Sequence, residues 1–207
     1  MNRSALWLLA LLSLAACRPA AETDTPAAET GADSSTVQMG HAGMSGHGAS
    51  SYSDLTFLDG MMAHHQMALD MAEAADARAG SDAVRTLGRE IAAAQRAEID
   101  SMRAWRARWF AGAPTPGPMS ADDMADMGMA GMDMEGLAAA RGAAFDRMFY
   151  EQMIPHHAGA VTMAAEAQVR SERPEIRALA RAIIAAQAEE IGEMQARLDA
   201  TSPAAPR

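Results

Sequence analysis

Lysine is absent from the chain: every one of the 17 basic residues is arginine. A GC-rich coding bias accounts for that substitution without any functional meaning. With a formal net charge of -10 and no basic stripe, the composition argues against nucleic acid as a partner. The acidic balance suits cations, although a solvated acidic surface explains it equally well. A single cysteine, Cys17, excludes an intramolecular disulfide. Aromatic residues are few, 3 Trp, 2 Tyr and 4 Phe, so a core must be built from something else. No Ser-His-Asp order, phosphate loop or Cys-based nucleophile marks a familiar enzyme class. The longest apolar run, residues 5–14, is too short to span a bilayer as a permanent helix.

That run reads instead as the core of an export signal, with Arg3 as its charged start. It ends in Leu14-Ala15-Ala16-Cys17, which resembles the lipobox of bacterial lipoproteins and predicts cleavage before a lipidated Cys17. Arg18 follows, with no Asp to signal inner-membrane retention. The expected location is the bacterial cell envelope, on the periplasmic side of the outer membrane in a Gram-negative cell. Residues 18–50 are rich in Ala, Thr, Ser, Gly and Pro and lack hydrophobic periodicity, as a flexible tether would.

What the chain has in excess is methionine, 18 residues. Some lie in stretches without periodicity: Met39-Gly-His41-Ala-Gly-Met44-Ser-Gly-His47, and Met124, Met127, Met129, Met132 and Met134 among Asp122, Asp123, Asp126 and Asp133. Read as exposed, flexible sequence, these segments give Met no packing role. Weak, exchangeable copper capture explains them, and so does low-complexity drift.

The remainder is a duplication at an offset of 92 residues. Phe57, Met61, His64, His65 and Met71 match Phe149, Met153, His156, His157 and Met163; Gln95, Glu98, Ile99 and Met102 match Gln187, Glu190, Ile191 and Met194, with no gap. Each copy predicts two helices joined by a short loop: about 53–79 and 82–110, then 135–169 and 174–200. Short loops make each pair antiparallel. The expected fold is therefore all-α, a four-helix bundle over residues 51–202 made of two helical hairpins (repeats about 53–111 and 135–200), with 112–134 as its long Met-rich crossover.

At about 100° per residue, Phe57, Met61, His64, His65, Ala68, Met71, Ala72 and Ala75 share one face of the first helix, and their counterparts share one face of the third. On the second helix the apolar line runs Val84, Leu87, Ile91, Ala94, Glu98 and Met102, placing Glu98 near its centre; Glu190 is placed alike on the fourth. An inward carboxylate needs a partner. The histidines, or a metal they hold, are the candidates. Pro155 lacks an N–H, so the Glu151 carbonyl loses its usual donor and a bend is expected there.

Imidazole binds Cu, Zn, Fe and Ni, and thioether sulfur adds a preference for Cu(I). Ligands from two facing helices would close a copper site at each end, or near the middle, of the bundle, with Met102 and Met194 able to join. The plainer reading is that Met fills core gaps and the histidines are ordinary core residues.

The motifs Met61-x-x-His64-His65-x-x-Ala68-x-x-Met71-Ala72 and Met153-Ile-Pro155-His156-His157-x-Gly159-Ala160-x-x-Met163-Ala164 resemble the domain-of-unknown-function 305 family (DUF305). The paired tails Ala93-Ala94-Gln95-x-x-Glu98-Ile99-x-x-Met102 and Ala185-Ala186-Gln187-x-x-Glu190-Ile191-x-x-Met194 extend the resemblance over about residues 53–200. It implies a ferritin-like four-helix fold, and some members are periplasmic copper-binding proteins linked to copper tolerance. Carried over by motif, the implied metal ligands are His64, His65, His156, His157, Met61, Met71, Met153 and Met163, with Glu98, Glu190, Met102 and Met194 as supporting or additional groups. Ala63 departs from the family's usual Pro before the first His pair.

The resulting expectation is a non-catalytic envelope protein that binds Cu(I) or Cu(II) and sequesters it or hands it on. Its partners are the metal ion and, through Cys17, the lipid bilayer; a second copy of the chain or a copper-accepting protein is left open. The enzyme alternative, a ferritin-like dimetal oxidase, needs Glu-x-x-His on two helices. No Asp or Glu lies three residues before any paired His. A metal-free helical interaction module is the third alternative.

Overall fold

The computed structural model describes residues 52–201. The export signal, Cys17, the tether and its Met39–His47 segment lie outside the described residues. Four long helices make the body: α1 (Asp54–Arg78), α2 (Asp82–Trp109), α5 (Ala143–Arg170) and α6 (Pro174–Thr201), with two short helices, α3 (Ala121–Asp126) and α4 (Met134–Ala139), in the crossover. The described residues contain no strand, only an isolated bridge between Ala79 and Gly142. The all-α bundle expected from the duplication is therefore the observed architecture.

Helix boundaries follow local chemistry. Ser53 caps α1 through a reciprocal box: its hydroxyl accepts from Thr56 N at 3.0 Å while Ser53 N donates to Thr56 Oγ1 at 3.0 Å. Ser81 caps α2, accepting from Val84 N at 3.3 Å. Pro174 opens α6, where its missing N–H costs nothing. The third predicted helix needs correcting. Instead of one element from 135, the chain forms α4, breaks over residues 140–142, and restarts as α5. Gly142 sits at the break with φ +61°, a conformation that side chains with a Cβ rarely adopt. Downstream, α5 runs unbroken through Pro155.

Each hairpin pairs its own two helices, α1 with α2 and α5 with α6, and the hairpins join along α1 and α5. These two central helices run antiparallel. Gly142 N at the start of α5 donates to Arg78 O at the end of α1 at 2.8 Å, and Gly80 N donates to Asp146 Oδ1 at 2.8 Å. At the other end, Arg173 just beyond α5 pairs with Asp54 at 3.2 Å. Ala68, Ala72, Ala75, Ala160, Ala164 and Ala167 are all buried, and their small side chains allow close helix approach. Larger apolar groups fill the rest of the core: Leu58, Ile91, Phe145, Phe149, Ile176 and Ile183 are fully buried. Each such side chain stabilises the fold by about 1.5–3 kcal/mol, so Phe149→Ala, which also opens a cavity, should cost about 3–5 kcal/mol.

Candidate metal centre

Antiparallel packing of two duplicated helices brings matched positions together across an approximate two-fold axis. The residues at that axis are His64 and His156, whose ring centroids lie 3.7 Å apart. His65 flanks His64 at 6.3 Å and His157 flanks His156 at 6.2 Å, so the four imidazoles form one continuous group. Sequence spacing allowed two separate sites or one near the middle; the structure gathers all four rings at one central place. All four histidines are fully buried.

The outer two are held by carboxylates from the neighbouring helix. His65 Nε2 donates to Glu98 Oε2 at 2.7 Å, and His157 Nε2 donates to Glu190 Oε2 at 2.7 Å. The inward carboxylates thus pair with histidines, but they reach in from the rim, with 20 % and 21 % of their side chains exposed. The centre of the α2 face is occupied by Gln95 and Ile99, both buried, while Ala94, expected on that line, is exposed. Side chains of helical residues lean toward the N-terminus, which lets Glu98 swing onto His65 from an off-centre position.

His64 has a different partner: its Nε2 donates to the backbone carbonyl of Met127 at 3.1 Å. His156 has none at either ring nitrogen. Nδ1 of His64, His65 and His157 is likewise buried without a hydrogen-bond partner, as are both amide atoms of Gln95 and Oε1 of Gln187. Leaving a buried polar atom unpaired costs about 1–3 kcal/mol, so such a concentration in one place calls for an explanation. Burial, reinforced by the neighbouring His65, pushes His64 down to about 3. His156 is also held well below the usual imidazole range, by burial and then by His64. Both inner rings are therefore neutral at physiological pH, and their lone pairs are free to bind a cation.

Met61, Met71, Met153, Met102 and Met194 are fully buried; Met163 is only half-buried. Met61 and Met153 stand three residues before His64 and His156, one helical turn away on the same face. Among the described residues, no three His, Cys, Asp or Glu side chains converge as a metal-holding group. Buried thioethers on the same helix faces, Met61, Met71 and Met153, are the other soft donors at hand. A donor set that combined imidazole with thioether would favour a soft ion.

The crossover corrects the sequence reading. Met124, Met127, Met132 and Met134 are half-buried and Met129 is buried, so this Met-rich segment packs on the bundle. Neither Met127 nor Gly159, against which it rests, was among the residues singled out as ligands. A signal did exist: at the repeat offset Gly60 falls opposite Gln152 and Gly159 opposite Met67, so the duplication is broken just where the crossover lies.

No curated protein matches the chain. Solved structures do. CopM in its Cu(I)-bound form is 36% identical, covering 73% of this chain and 99% of that one, with a TM-score of 0.63. The same protein has been solved in Ag-bound, Cu(II)-bound and apo forms. A DUF305 fragment from Deinococcus radiodurans is 35% identical over 70% of this chain and 95% of that one, TM-score 0.64. A DUF305 protein from Streptomyces coelicolor is 29% identical over 68% of this chain and 87% of that one, TM-score 0.61. The profile of the domain of unknown function DUF305 matches residues 54–198, almost the whole bundle, and the chain belongs to that family.

Proposed function

We propose that this protein binds copper, as Cu(I) above all, at the centre between α1 and α5, and holds it or passes it on without catalysis. The observation that carries the reading is the group of four buried imidazoles with unpaired ring nitrogens, set on a face that also carries Met61, Met71, Met153 and Met163. A neutral imidazole is a ready ligand, and thioether sulfur shifts preference from Zn(II) toward Cu(I). Glu98 and Glu190 supply what metal-bound histidines require, an acceptor on the ring nitrogen facing away from the ion. The likeness to CopM, solved with copper and silver, supports the same choice. In this account Cys17 carries the lipid that keeps the protein in the cell envelope; no helix of the described residues is long and apolar enough to cross a membrane.

Replacing Met61, Met71, Met153 and Met163 with Leu tests the proposal. Leucine keeps size and hydrophobicity close, so the fold should survive. Cu(I) affinity, measured by competition with a Cu(I) chelator, should fall steeply, while Zn(II) binding should fall less. Wild-type Cu(I) affinity in the Leu variant would reduce the methionines to packing residues.

A further inference from the structure

Three of the four imidazoles have an acceptor on Nε2, and the third acceptor is unlike the other two. Glu98 and Glu190 are related by the duplication and serve the outer rings. The acceptor on His64 is a backbone carbonyl from the crossover, which has no second copy. Carbonyl oxygen only accepts, so His64 must carry its proton on Nε2 and present a bare lone pair at Nδ1. Nothing comparable fixes His156, whose two nitrogens are both unpartnered.

The crossover reaches His64 because the bundle is notched to receive it. A Cβ added to Gly159 would lie 2.7 Å from the Met127 carbonyl carbon and 3.2 Å from Gly128 Cα, and closer still to the Met127 oxygen. A Cβ on Gly60, one turn before His64, would meet Met127 Cε at 3.0 Å and Met163 Cε at 3.4 Å. The turn itself is built for the position: Gly128 has φ +74°, and Met129 N donates to Met124 O at 2.8 Å. At the repeat-related positions stand Gln152 and Met67, whose side chains would fill an equivalent notch. Gln152 instead ties down the end of the crossover, accepting from Asp133 N at 2.8 Å.

We propose that the Met-rich crossover is a positioning element of the metal centre. Through the Met127 carbonyl it sets the tautomer and orientation of His64, doing for that ring what the two glutamates do for the outer pair. A single crossover can serve only one inner ring, so the duplicated centre is inequivalent, with His156 as its unfixed imidazole. This assignment deepens the proposed copper site and rests on it for its metal-binding consequence alone; the tautomer belongs to the metal-free protein.

Gly159→Ala is the test, because the new methyl collides with backbone and must displace the Met127 carbonyl, while alanine is a better helix former than glycine and α5 should persist. Gly60→Ala is the control: its methyl meets only the flexible ends of the Met127 and Met163 side chains and no backbone outside its own helix. Long-range ¹H–¹⁵N correlation spectra of histidine-labelled, metal-free protein read the tautomers, with His64 assigned through a His64→Gln variant. Wild type and Gly60→Ala should show His64 as the Nε2–H form. Gly159→Ala should lose that preference while His65 and His157 keep theirs, and Ag(I) affinity should fall 10–100-fold, the usual effect of removing such an acceptor. An unchanged His64 tautomer in Gly159→Ala would overturn the proposal. So would tighter Ag(I) binding, which would make the crossover a barrier. Wild-type protein that shows the tautomer but binds no Ag(I) would refute the copper reading and leave the positioning of His64 standing.

Discussion

Acid should destabilise the metal-free protein through the two inner histidines. His64 titrates near 3 in the folded chain and near 6.5 when unfolded, because burial and then the neighbouring His65 oppose its charge. His156 shifts in the same direction. Between those values the unfolded chain binds more protons than the folded one, so stability rises with pH. The contribution is intact above the unfolded value and is lost as pH falls below about 6.5, at up to about 1.4 kcal/mol per pH unit for each ring. By pH 4.5, His64 alone should have removed about 3 kcal/mol. His156 adds to that, a large share of the roughly 5–15 kcal/mol of an ordinary domain. Asp82, hydrogen-bonded to Arg85, and Asp123, hydrogen-bonded to Ser120, are also depressed, but they titrate below this window. The assay is urea unfolding followed by circular dichroism, with chelator present, at intervals from pH 7.5 to 4.5, for wild type and for a His64→Gln/His156→Gln double variant. Wild type should lose stability steeply and the variant should lose far less. Parallel curves, or a flat wild-type curve, would refute the buried, neutral assignment of the inner pair.

Glu98→Ala should strip the acceptor from His65 Nε2. Because Glu98 is partly exposed, water can replace it in part, and denaturant unfolding should show a loss near the low end of about 1–3 kcal/mol. Chelation should leave the protein strongly helical by circular dichroism, since buried Leu, Ile, Phe, Met and Ala side chains supply an apolar core of their own; melting on chelation would show that the ion is structural. Cys17→Ser should move the protein out of the membrane fraction, and retention there with normal precursor processing would defeat the lipid-anchor proposal.

The fold was legible because helical periodicity is a local property and the duplication repeats it. The face from Phe57 through His64 and His65 to Ala75 is buried as its spacing implies. Glu98 and Glu190 find the histidines because an inward carboxylate has few other partners. Periodicity does not say which faces meet, so the merging of both His pairs at one axis depends on the antiparallel pairing of α1 with α5. Nor does it reach residues 112–134, which have no apolar stripe of their own. Met127 packs into a notch in the surface of the long helices, and only the repeat-breaking glycines at positions 60 and 159 foreshadow that. The break before α5 was missed for a related reason: Gly142 works through its positive φ, which composition does not reveal.

A soft-metal centre between α1 and α5 would draw its ligands from both halves of the duplication. X-ray absorption spectroscopy of purified protein loaded anaerobically with one equivalent of Cu(I) reads those ligands out. The first coordination sphere should be mixed imidazole nitrogen and thioether sulfur. The nitrogen component should vanish when His64, His65, His156 and His157 are all replaced, and the sulfur component should drop when Met61, Met71, Met153 and Met163 become Leu. A sulfur-only sphere that survives replacement of the four histidines would place copper elsewhere and refute a centre at the four imidazoles.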